Sequence, residues 1–151
     1  MEPVAVHTQE DLEECLAIRK EVFVMEQNVS PEEEIDEFDA SPEACCHVLL
    51  RTDSGETVGT GRWRPYNPQG TAKLQRIAIR KEQRGKGLGS VLLLAMERQA
   101  RAAGMEYAVL AAQCHAEAFY QKLGYETISA EPFYDAGILH VKMLKALMSE
   151  H

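Results

Sequence analysis

Hydrophobic positions recur along the chain with two different periods, which separate predicted helices from predicted strands. After Thr8, an N-cap residue, Leu12, Cys15 and Leu16 return every three or four positions and predict an amphipathic helix. Ser30, followed by proline and glutamate, is a second helix start and predicts a short helix. The N-terminal part of the chain therefore carries two predicted helices.

Short segments rich in apolar and β-branched residues predict the strands of a sheet. These segments are 4–6, 44–52, 57–64, 72–79, 107–112, 125–130 and 139–144. Residues 53–56 form a turn, so the second and third segments are expected to form a β-hairpin. Residues 65–70 are rich in turn formers and predict a surface loop.

One connection lies at the centre of the predicted sheet. Strand 72–79 is followed by a helix that starts near Gly87 and ends at Gly104, a C′ residue. The next strand, 107–112, is apolar enough to be a buried parallel strand, so the three elements form a right-handed βαβ unit. With a shorter helix at 116–123, the elements predict an α/β (α+β) fold of about four helices and about six or seven strands.

Candidate chemistry is concentrated in the loop between the central strand and its helix. Gly85, Gly87 and Gly89 stand at alternate positions and leave main-chain amides free to converge on one anion. The first turn of the helix adds free amides and the positive end of its dipole. Five basic residues crowd this part of a chain whose net charge is −8. We therefore expect a phosphate-bearing ligand at this loop.

The glycine spacing fits neither the Rossmann nor the P-loop pattern. Arg84-x-x-Gly87-x-Gly89 instead resembles the [QR]-x-x-G-x-[GA] loop of the GNAT superfamily of acetyl-CoA-dependent N-acetyltransferases. Strand 74–79 and the segment 118–125, AFYQKLGY, resemble the central strand and the A-x-x-F-Y-x-x-x-G-[FY] element of the same superfamily. The sequences EVFVMEQNV and EEEIDEFD resemble its ElaA-like branch.

The resemblance implies a mixed, mostly antiparallel, twisted sheet that splays beside the central strand and binds coenzyme A in the opening. Pantetheine would contact the main chain of Ile77, Ala78 and Ile79 in the manner of an added strand. The pyrophosphate would rest on the loop, whose residues are Arg84, Gly85, Lys86, Gly87, Leu88, Gly89 and Ser90. Gln113 at the end of the next predicted strand holds pantetheine or a water molecule, or simply caps the strand.

Tyr120 matches the superfamily tyrosine whose hydroxyl faces the sulfur of coenzyme A. A phenol has a pKa of about 10 and a thiol of about 8.5, so the tyrosine can give a hydrogen bond or a proton to a departing thiolate. The acceptor ammonium, with a pKa of about 10.4, must first lose a proton. The central strand contains no carboxylate to take it, and the sequence leaves Glu26, His115 and His140 open as alternatives.

Six acidic residues lie between positions 32 and 39. Such a run is either a solvated face or part of the mouth of a site for a cationic amine, and the sequence leaves both readings open. The net charge of −8 disfavours nucleic acid as a partner and favours a cationic or neutral acceptor, a small-molecule or peptide amine. A homodimer is possible if strand 139–144 is an exposed edge.

The length of 151 residues fits a single N-acetyltransferase domain, 1–151. No apolar run approaches the roughly 18 residues of a membrane span, and the N-terminus lacks signal-peptide features, so we expect a cytoplasmic protein with no membrane partner. The four cysteines are expected to be reduced, and no metal site is predicted. The alternative to an acetyltransferase is a non-catalytic module of the same fold that holds coenzyme A as a sensor or structural ligand.

Overall fold

The computed structural model describes residues 2–147, which form eight strands and four α-helices. The strands are β1 (Pro3–Ala5), β2 (Cys46–Arg51), β3 (Thr57–Asn67), β4 (Thr71–Ile79), β5 (Tyr107–Gln113), β6 (Glu126–Thr127), β7 (Phe133–Asp135) and β8 (Ile138–Ala146). The helices are α1 (Gln9–Arg19), α2 (Pro31–Glu34), α3 (Leu88–Ala102) and α4 (Glu117–Lys122). None of these helices is long and apolar enough to cross a membrane.

Both predicted helix starts in the N-terminal part are confirmed. The Thr8 hydroxyl accepts a hydrogen bond of 3.1 Å from the Asp11 amide, and the Ser30 hydroxyl accepts one of 3.3 Å from the Glu33 amide. Each bond satisfies an amide that has no acceptor inside its own helix. After α1 the chain continues through a π-helical segment, Lys20–Glu26, which carries it towards the open end of the sheet.

The eight strands form one sheet in the order β1-β2-β3-β4-β5-β8-β6, with β7 paired to β8. Strands β4 and β5 are parallel and every other pair is antiparallel. The mixed, mostly antiparallel sheet with a central βαβ unit, β4-α3-β5, is therefore confirmed. The strand count exceeds the prediction by one.

The prediction of a loop at 65–70 is wrong for its first half. Strand β3 continues to Asn67, and only 68–70 connect it to β4. The Asn67 side-chain oxygen accepts hydrogen bonds from the amides of Gln69 and Thr71, at 3.0 and 3.2 Å. One asparagine side chain thus closes a tight turn, which lets the two strands pair almost to their ends.

The C-terminal strands also differ from the prediction. Segment 125–130 contains only the two-residue strand β6, and a further strand, β7, joins β8 through a turn in which Ala136 and Gly137 both have positive φ. Strand β8 lies between β5 and β6 and is not an edge, contrary to the expectation for 139–144. The argument for a homodimer through that strand therefore fails.

The parallel strands β4 and β5 separate soon after they begin. They pair only at Thr71 with Tyr107, Ala72 with Ala108, and Lys73 with Val109. On its other side β4 remains paired with β3, with a register shift at which Arg76 takes a φ of +58°. The edge of β4 that faces β5 therefore lacks a strand partner beyond Lys73, which opens the sheet.

The two faces of the sheet are covered to different extents. Helix α3 packs on one face, where Leu92, Leu93 and Met96 are fully buried against Trp63 and Leu74. On the other face α1 and the π-helical segment cover only the first half of the sheet, β1 to β4. The opening between β4 and β5 is consequently accessible from the face that α1 leaves uncovered.

Candidate active site

A cleft of about 1050 Å³ occupies the space between the separated ends of β4 and β5. It is lined by β4, the glycine loop, α4, the turn between β7 and β8, and the π-helical segment. The predicted cofactor-binding residues that line it are Ile77, Ala78, Ile79, Arg84, Gly85, Gly87, Leu88, Gly89, Gln113 and Tyr120. Lys86 and Ser90 belong to the same loop but do not line the cleft.

The glycine loop presents main-chain amides without protein acceptors. Within residues 2–147, the amides of 85–90 make no hydrogen bond, and the first bonded amide of the helix is that of Val91, 3.3 Å from the Gly87 carbonyl. Gly85 and Gly87 have φ values of +81° and +76°, which residues with a side chain rarely adopt. A Cβ atom at either glycine would point into open space. These free amides at the start of a 15-residue helix suit a pyrophosphate, so the residues present fit coenzyme A.

Arg84 connects the loop to the π-helical segment. Its Nε donates a 3.0 Å hydrogen bond to the Ile79 carbonyl, and its guanidinium forms a 2.6 Å ion pair with Glu26. Glu26, one of the candidate bases, does not line the cleft. Its carboxylate is occupied by an arginine that phosphate would also attract.

A second contact spans the cleft next to this ion pair. The Gln113 side-chain amide donates a 2.8 Å hydrogen bond to the side-chain oxygen of Gln27. The Gln113 oxygen in turn accepts a 2.6 Å hydrogen bond from Nε2 of His115, which is exposed. Gln113 therefore links the π-helical side of the cleft to β5 and is more than a strand-end cap.

Tyr120 lies on α4 with its ring in the cleft wall. The ring packs edge-on against Phe119 and Tyr125, with centroid distances of 5.0 and 5.9 Å. Burial raises the pKa of Tyr120 to about 12. Its hydroxyl has no hydrogen-bond partner in the described part of the chain, whereas the Tyr125 hydroxyl donates to Glu97 at 2.8 Å. The Tyr120 hydroxyl is therefore protonated and available to a ligand in the cleft.

His140 lies on β8 and also lines the cleft. Its Nδ1 is 2.6 Å from the Ile138 carbonyl, and its ring stacks on Phe133 at a centroid distance of 6.1 Å. A carbonyl oxygen only accepts, so Nδ1 carries the hydrogen. In the neutral ring, Nε2 then holds the lone pair, which makes it a possible proton acceptor.

The acidic segment 32–39 is neither entirely exposed to solvent nor entirely part of the entrance to the cleft. Half of its acids, Glu32, Glu33 and Glu37, are exposed. The other half bind arginines in what we call the buried charge cluster, formed by Arg19, Glu34, Asp36, Asp39, Arg62 and Arg76. Of the six acids, only Glu33 and Glu34 line the cleft.

The centre of the buried charge cluster is Asp39. Its carboxylate accepts hydrogen bonds from Arg19 at 2.6 Å and from Arg62 at 2.8 Å. Burial opposes ionisation of Asp39, but the hydrogen bonds and charge of Arg19 outweigh it and hold the pKa below its ordinary value. Burial raises the pKa of Glu34 although Arg76 and Arg19 are close. The cluster fixes the segment 34–39 against β3 and β4.

Several side chains that line the cleft at the end away from the glycine loop were not predicted from the sequence. Arg76, Lys73 and Asp135 line it, together with the apolar Phe23 and Val29. Arg76 sits at the irregularity in β4, and burial lowers the pKa of its guanidinium despite the nearby Glu34. Its positive φ has no signal in the sequence. No group of three or more His, Cys, Asp or Glu side chains in residues 2–147 is placed to hold a metal ion.

The chain is similar to known proteins over nearly its whole length. A family described as "Acetyltransferase (GNAT) domain" matches residues 5–147. The uncharacterized N-acetyltransferase YjcF of Bacillus subtilis (strain 168) is 41% identical over 145 residues, covering 96% of this chain and 99% of that protein. An acyl-CoA N-acyltransferase from Pseudomonas aeruginosa has a TM-score of 0.81 at 26% identity, covering 97% of this chain and 100% of that one. Escherichia coli ElaA has a TM-score of 0.82 at 25% identity, covering 95% and 98%.

Proposed function

The chain belongs to the GNAT family of acetyltransferases, and from this premise we propose that it transfers acetyl directly from acetyl-CoA to the amine of a small-molecule or peptide acceptor. We further propose that one catalytic domain carries this activity. The observation that carries the proposal is that Tyr120 lines the cleft and that its hydroxyl has no hydrogen-bond partner in residues 2–147. Acetyl-CoA, the co-substrate of the family, supplies an activated thioester.

The edge of β4 and the glycine loop bind different parts of acetyl-CoA. The unpaired edge of β4 at Ile77, Ala78 and Ile79 offers main-chain groups to an extended pantetheine. The free amides of 85–90 bind the pyrophosphate, and the Arg84 guanidinium adds charge. Binding of phosphate competes with Glu26 for Arg84, since the same guanidinium serves both. These contacts hold the thioester within reach of Tyr120.

In the transfer step the nitrogen of the neutral amine attacks the thioester carbonyl, so that a C–N bond forms as the C–S bond breaks. The sulfur leaves as a thiolate, to which Tyr120 donates a hydrogen bond and then its proton, and the proton that the nitrogen loses on becoming an amide restores the Tyr120 hydroxyl. Burial raises the pKa of Tyr120 to about 12, and the same buried surroundings disfavour a free thiolate. A pKa of about 12 keeps the Tyr120 hydroxyl protonated at neutral pH, as the donor of the hydrogen bond to the developing thiolate.

His140 is the base that we propose for the acceptor ammonium. Its Nδ1 is held by the Ile138 carbonyl, so Nε2 has the lone pair in the neutral ring. Glu26 is bound to Arg84, and Nε2 of His115 is bound to Gln113 at the exposed side of the cleft. Glu26 does not line the cleft and His115 is exposed, whereas His140 lines the cleft, is buried, and has an Nε2 without a hydrogen-bond partner in residues 2–147.

The test is a thiol-release assay with acetyl-CoA across amino acids, short peptides, polyamines and aminoglycosides. We expect release of coenzyme A with one class of amine, and intact-protein mass spectrometry after incubation with acetyl-CoA alone should show no acetylated protein. An acetylated cysteine that is discharged by the amine would contradict direct transfer. Tight acetyl-CoA binding without release for any amine would instead support the non-catalytic alternative.

A further inference from the structure

Three basic side chains surround one exposed aromatic ring at the uncovered face of the sheet. Lys73 Nζ, Lys142 Nζ and Arg64 Cζ lie 5.2, 5.5 and 5.8 Å from the centroid of the Tyr66 ring. Within residues 2–147, none of the three has a carboxylate within 4.0 Å. This is unusual in a chain of net charge −8, in which the other arginines of β3 and β4, Arg62 and Arg76, are both paired with carboxylates.

Two of these cations, Lys73 and Lys142, line a small cavity, which we call the tyrosine pocket. Its volume is about 210 Å³, and its lining consists of Tyr66, Lys73, Val109, Leu110, Ala111, Phe133, Asp135 and Lys142. Four of these residues, Lys73, Leu110, Ala111 and Asp135, also line the main cleft. The tyrosine pocket is therefore continuous with the cleft at the end away from the glycine loop.

The strand register places the tyrosine pocket on the same face as the proposed base. Ala111 pairs with Lys142 and Gln113 pairs with His140, and residues two apart on a strand share a face. Phe133, part of the pocket lining, stacks on the His140 ring. A molecule whose amine reaches Nε2 of His140 thus has the tyrosine pocket beside it.

The three cations repel one another, and the protein compensates this only in part. Burial lowers the pKa of Lys73, the charges of Arg64 and Lys142 lower it further, and Asp135 opposes them. Contact with the electron-rich Tyr66 ring attracts each cation weakly. The pocket lining therefore holds two cations, Lys73 and Lys142, against one carboxylate, Asp135, and Arg64 near the Tyr66 ring adds to the positive charge beside the reacting groups.

We propose that the tyrosine pocket binds an anionic group of the acceptor, a carboxylate or a phosphate, so that the substrate is an amine that also carries negative charge. The inference rests on the proposed function, because it assigns the acceptor of that reaction. It replaces the cationic acceptor expected from the acidic segment, since half of that segment is neutralised inside the buried charge cluster. Polyamines and aminoglycosides would meet like charge in this pocket.

Matched acceptors test the inference with the unmodified protein. A panel of amino acids with hydrophobic or polar side chains is assayed, each beside its carboxamide. Phosphoethanolamine is assayed beside ethanolamine. We expect kcat/KM for the charged member of the productive pair to exceed that of its neutral partner at least about tenfold, or ~1.4 kcal/mol. The amino acid pairs and the phosphate pair distinguish the two anions. Equal or better use of the neutral members would overturn the inference.

Variants locate the effect in the pocket. Lys73→Met and Lys142→Met remove a charge but keep an unbranched apolar stem, and Lys20→Met, at an exposed position of the π-helical segment outside the cleft lining, is the matched control. In either pocket variant, KM for the anionic acceptor should rise about tenfold, with kcat and the acetyl-CoA Kd nearly unchanged. KM for the neutral partner should change less than about twofold. Equal losses for both members would contradict anion binding here.

A binding measurement separates this inference from the transfer reaction. Saturation-transfer NMR is recorded for 4-methylpentanoate and 4-methylpentanamide with the protein saturated by coenzyme A. Carboxylate binding that disappears in a Lys73→Met/Lys142→Met double variant, together with no acetyl transfer to any amine, would uphold the pocket and reject the proposed function. Acetyl transfer to neutral amines, with no preference of the pocket for the carboxylate, would uphold the proposed function and reject the pocket.

Discussion

At one end of the cleft a ligand meets main-chain amides from a single loop, whereas at the other end it meets side chains from six separate segments. The loop amides of 85–90 have no protein acceptor in the described chain, and their direction follows from two glycines with positive φ. The acceptor end is lined by residues of the π-helical segment, α2, β4, β5, β7 and β8. Binding at the glycine loop depends on the absence of side chains, whereas binding at the acceptor end depends on where its side chains are held by their contacts.

This difference explains why so many ion pairs lie next to the acceptor end. Side chains from distant segments stay in place only if something fixes the segments, and here the buried charge cluster ties α1 and 34–39 to β3 and β4. Beside this cluster, the tyrosine pocket keeps cations without carboxylates within 4.0 Å in residues 2–147. The ion pairs of the buried charge cluster hold the segments in place, whereas the cations of the tyrosine pocket can bind a ligand.

The largest expected effect is on the bracing of the acceptor end. Arg19→Met should lower the free energy of unfolding by about 3–5 kcal/mol, because it removes the guanidinium that the buried Glu34 and Asp39 share and leaves each acid only one arginine, Arg76 or Arg62. Urea denaturation followed by circular dichroism measures it. Arg51→Met is the control: Arg51 pairs with Asp11 and Glu14 at the surface, and its loss should cost less than about 1 kcal/mol. Similar losses for both variants would show that the cluster does not brace the fold.

The glycine end should respond to an added side chain rather than to a lost one. Gly87→Glu places a carboxylate where free amides converge, at a φ of +76°, and should weaken acetyl-CoA binding at least about a hundredfold, ~2.8 kcal/mol, in isothermal titration. Gly55→Glu makes the same change at a φ of +88° in the exposed β2–β3 turn and should leave binding intact. Retained affinity in a folded Gly87→Glu variant would remove the loop from the site.

Tyr120→Phe tests the group that stands between the two ends. It should lower kcat about 10- to 100-fold, the value of a hydrogen bond to a charged group, with little change in acetyl-CoA binding. Because burial raises the pKa of Tyr120 to about 12, the wild-type rate should not fall on the alkaline side below about pH 10. A rate equal to that of the wild type would exclude this role.

A smaller and pH-dependent effect is expected at His140. His140→Gln should reduce kcat/KM about tenfold at pH 7, and the loss should shrink as pH rises, because more of the amine then arrives without its proton. His7→Gln, at an exposed position on the far edge of the sheet, is the control. A deficit that stays constant from pH 7 to pH 10 would indicate a structural role for His140.

The sequence predicts the glycine end well because its determinants are contiguous. A strand, three alternate glycines and a helix follow one another from β4 to α3, so local rules suffice for them. The N-caps at Thr8 and Ser30 are equally local and are also correct. What these elements share is that each one depends on residues within a few positions of itself.

The acceptor end was largely missed because its determinants are far apart in the chain. Asp39 finds Arg19 and Arg62, which are 20 and 23 residues away, and no local pattern predicts such pairing. Lys73 and Lys142 look like ordinary outward-facing strand residues until the sheet brings them to one tyrosine ring. Strand β7 has three exposed residues and so lacks the apolar alternation that marks a strand.

The most direct test of the central claim is identification of the products by liquid chromatography and mass spectrometry, with wild type and Tyr120→Phe in parallel. The protein is given acetyl-CoA and the acceptor chosen from the matched panel. We predict one N-acetylated amine for each coenzyme A released, at a rate that falls in Tyr120→Phe while acetyl-CoA remains bound. Bound acetyl-CoA with no acetylated amine across the panel would contradict the account and leave a protein that only holds the coenzyme.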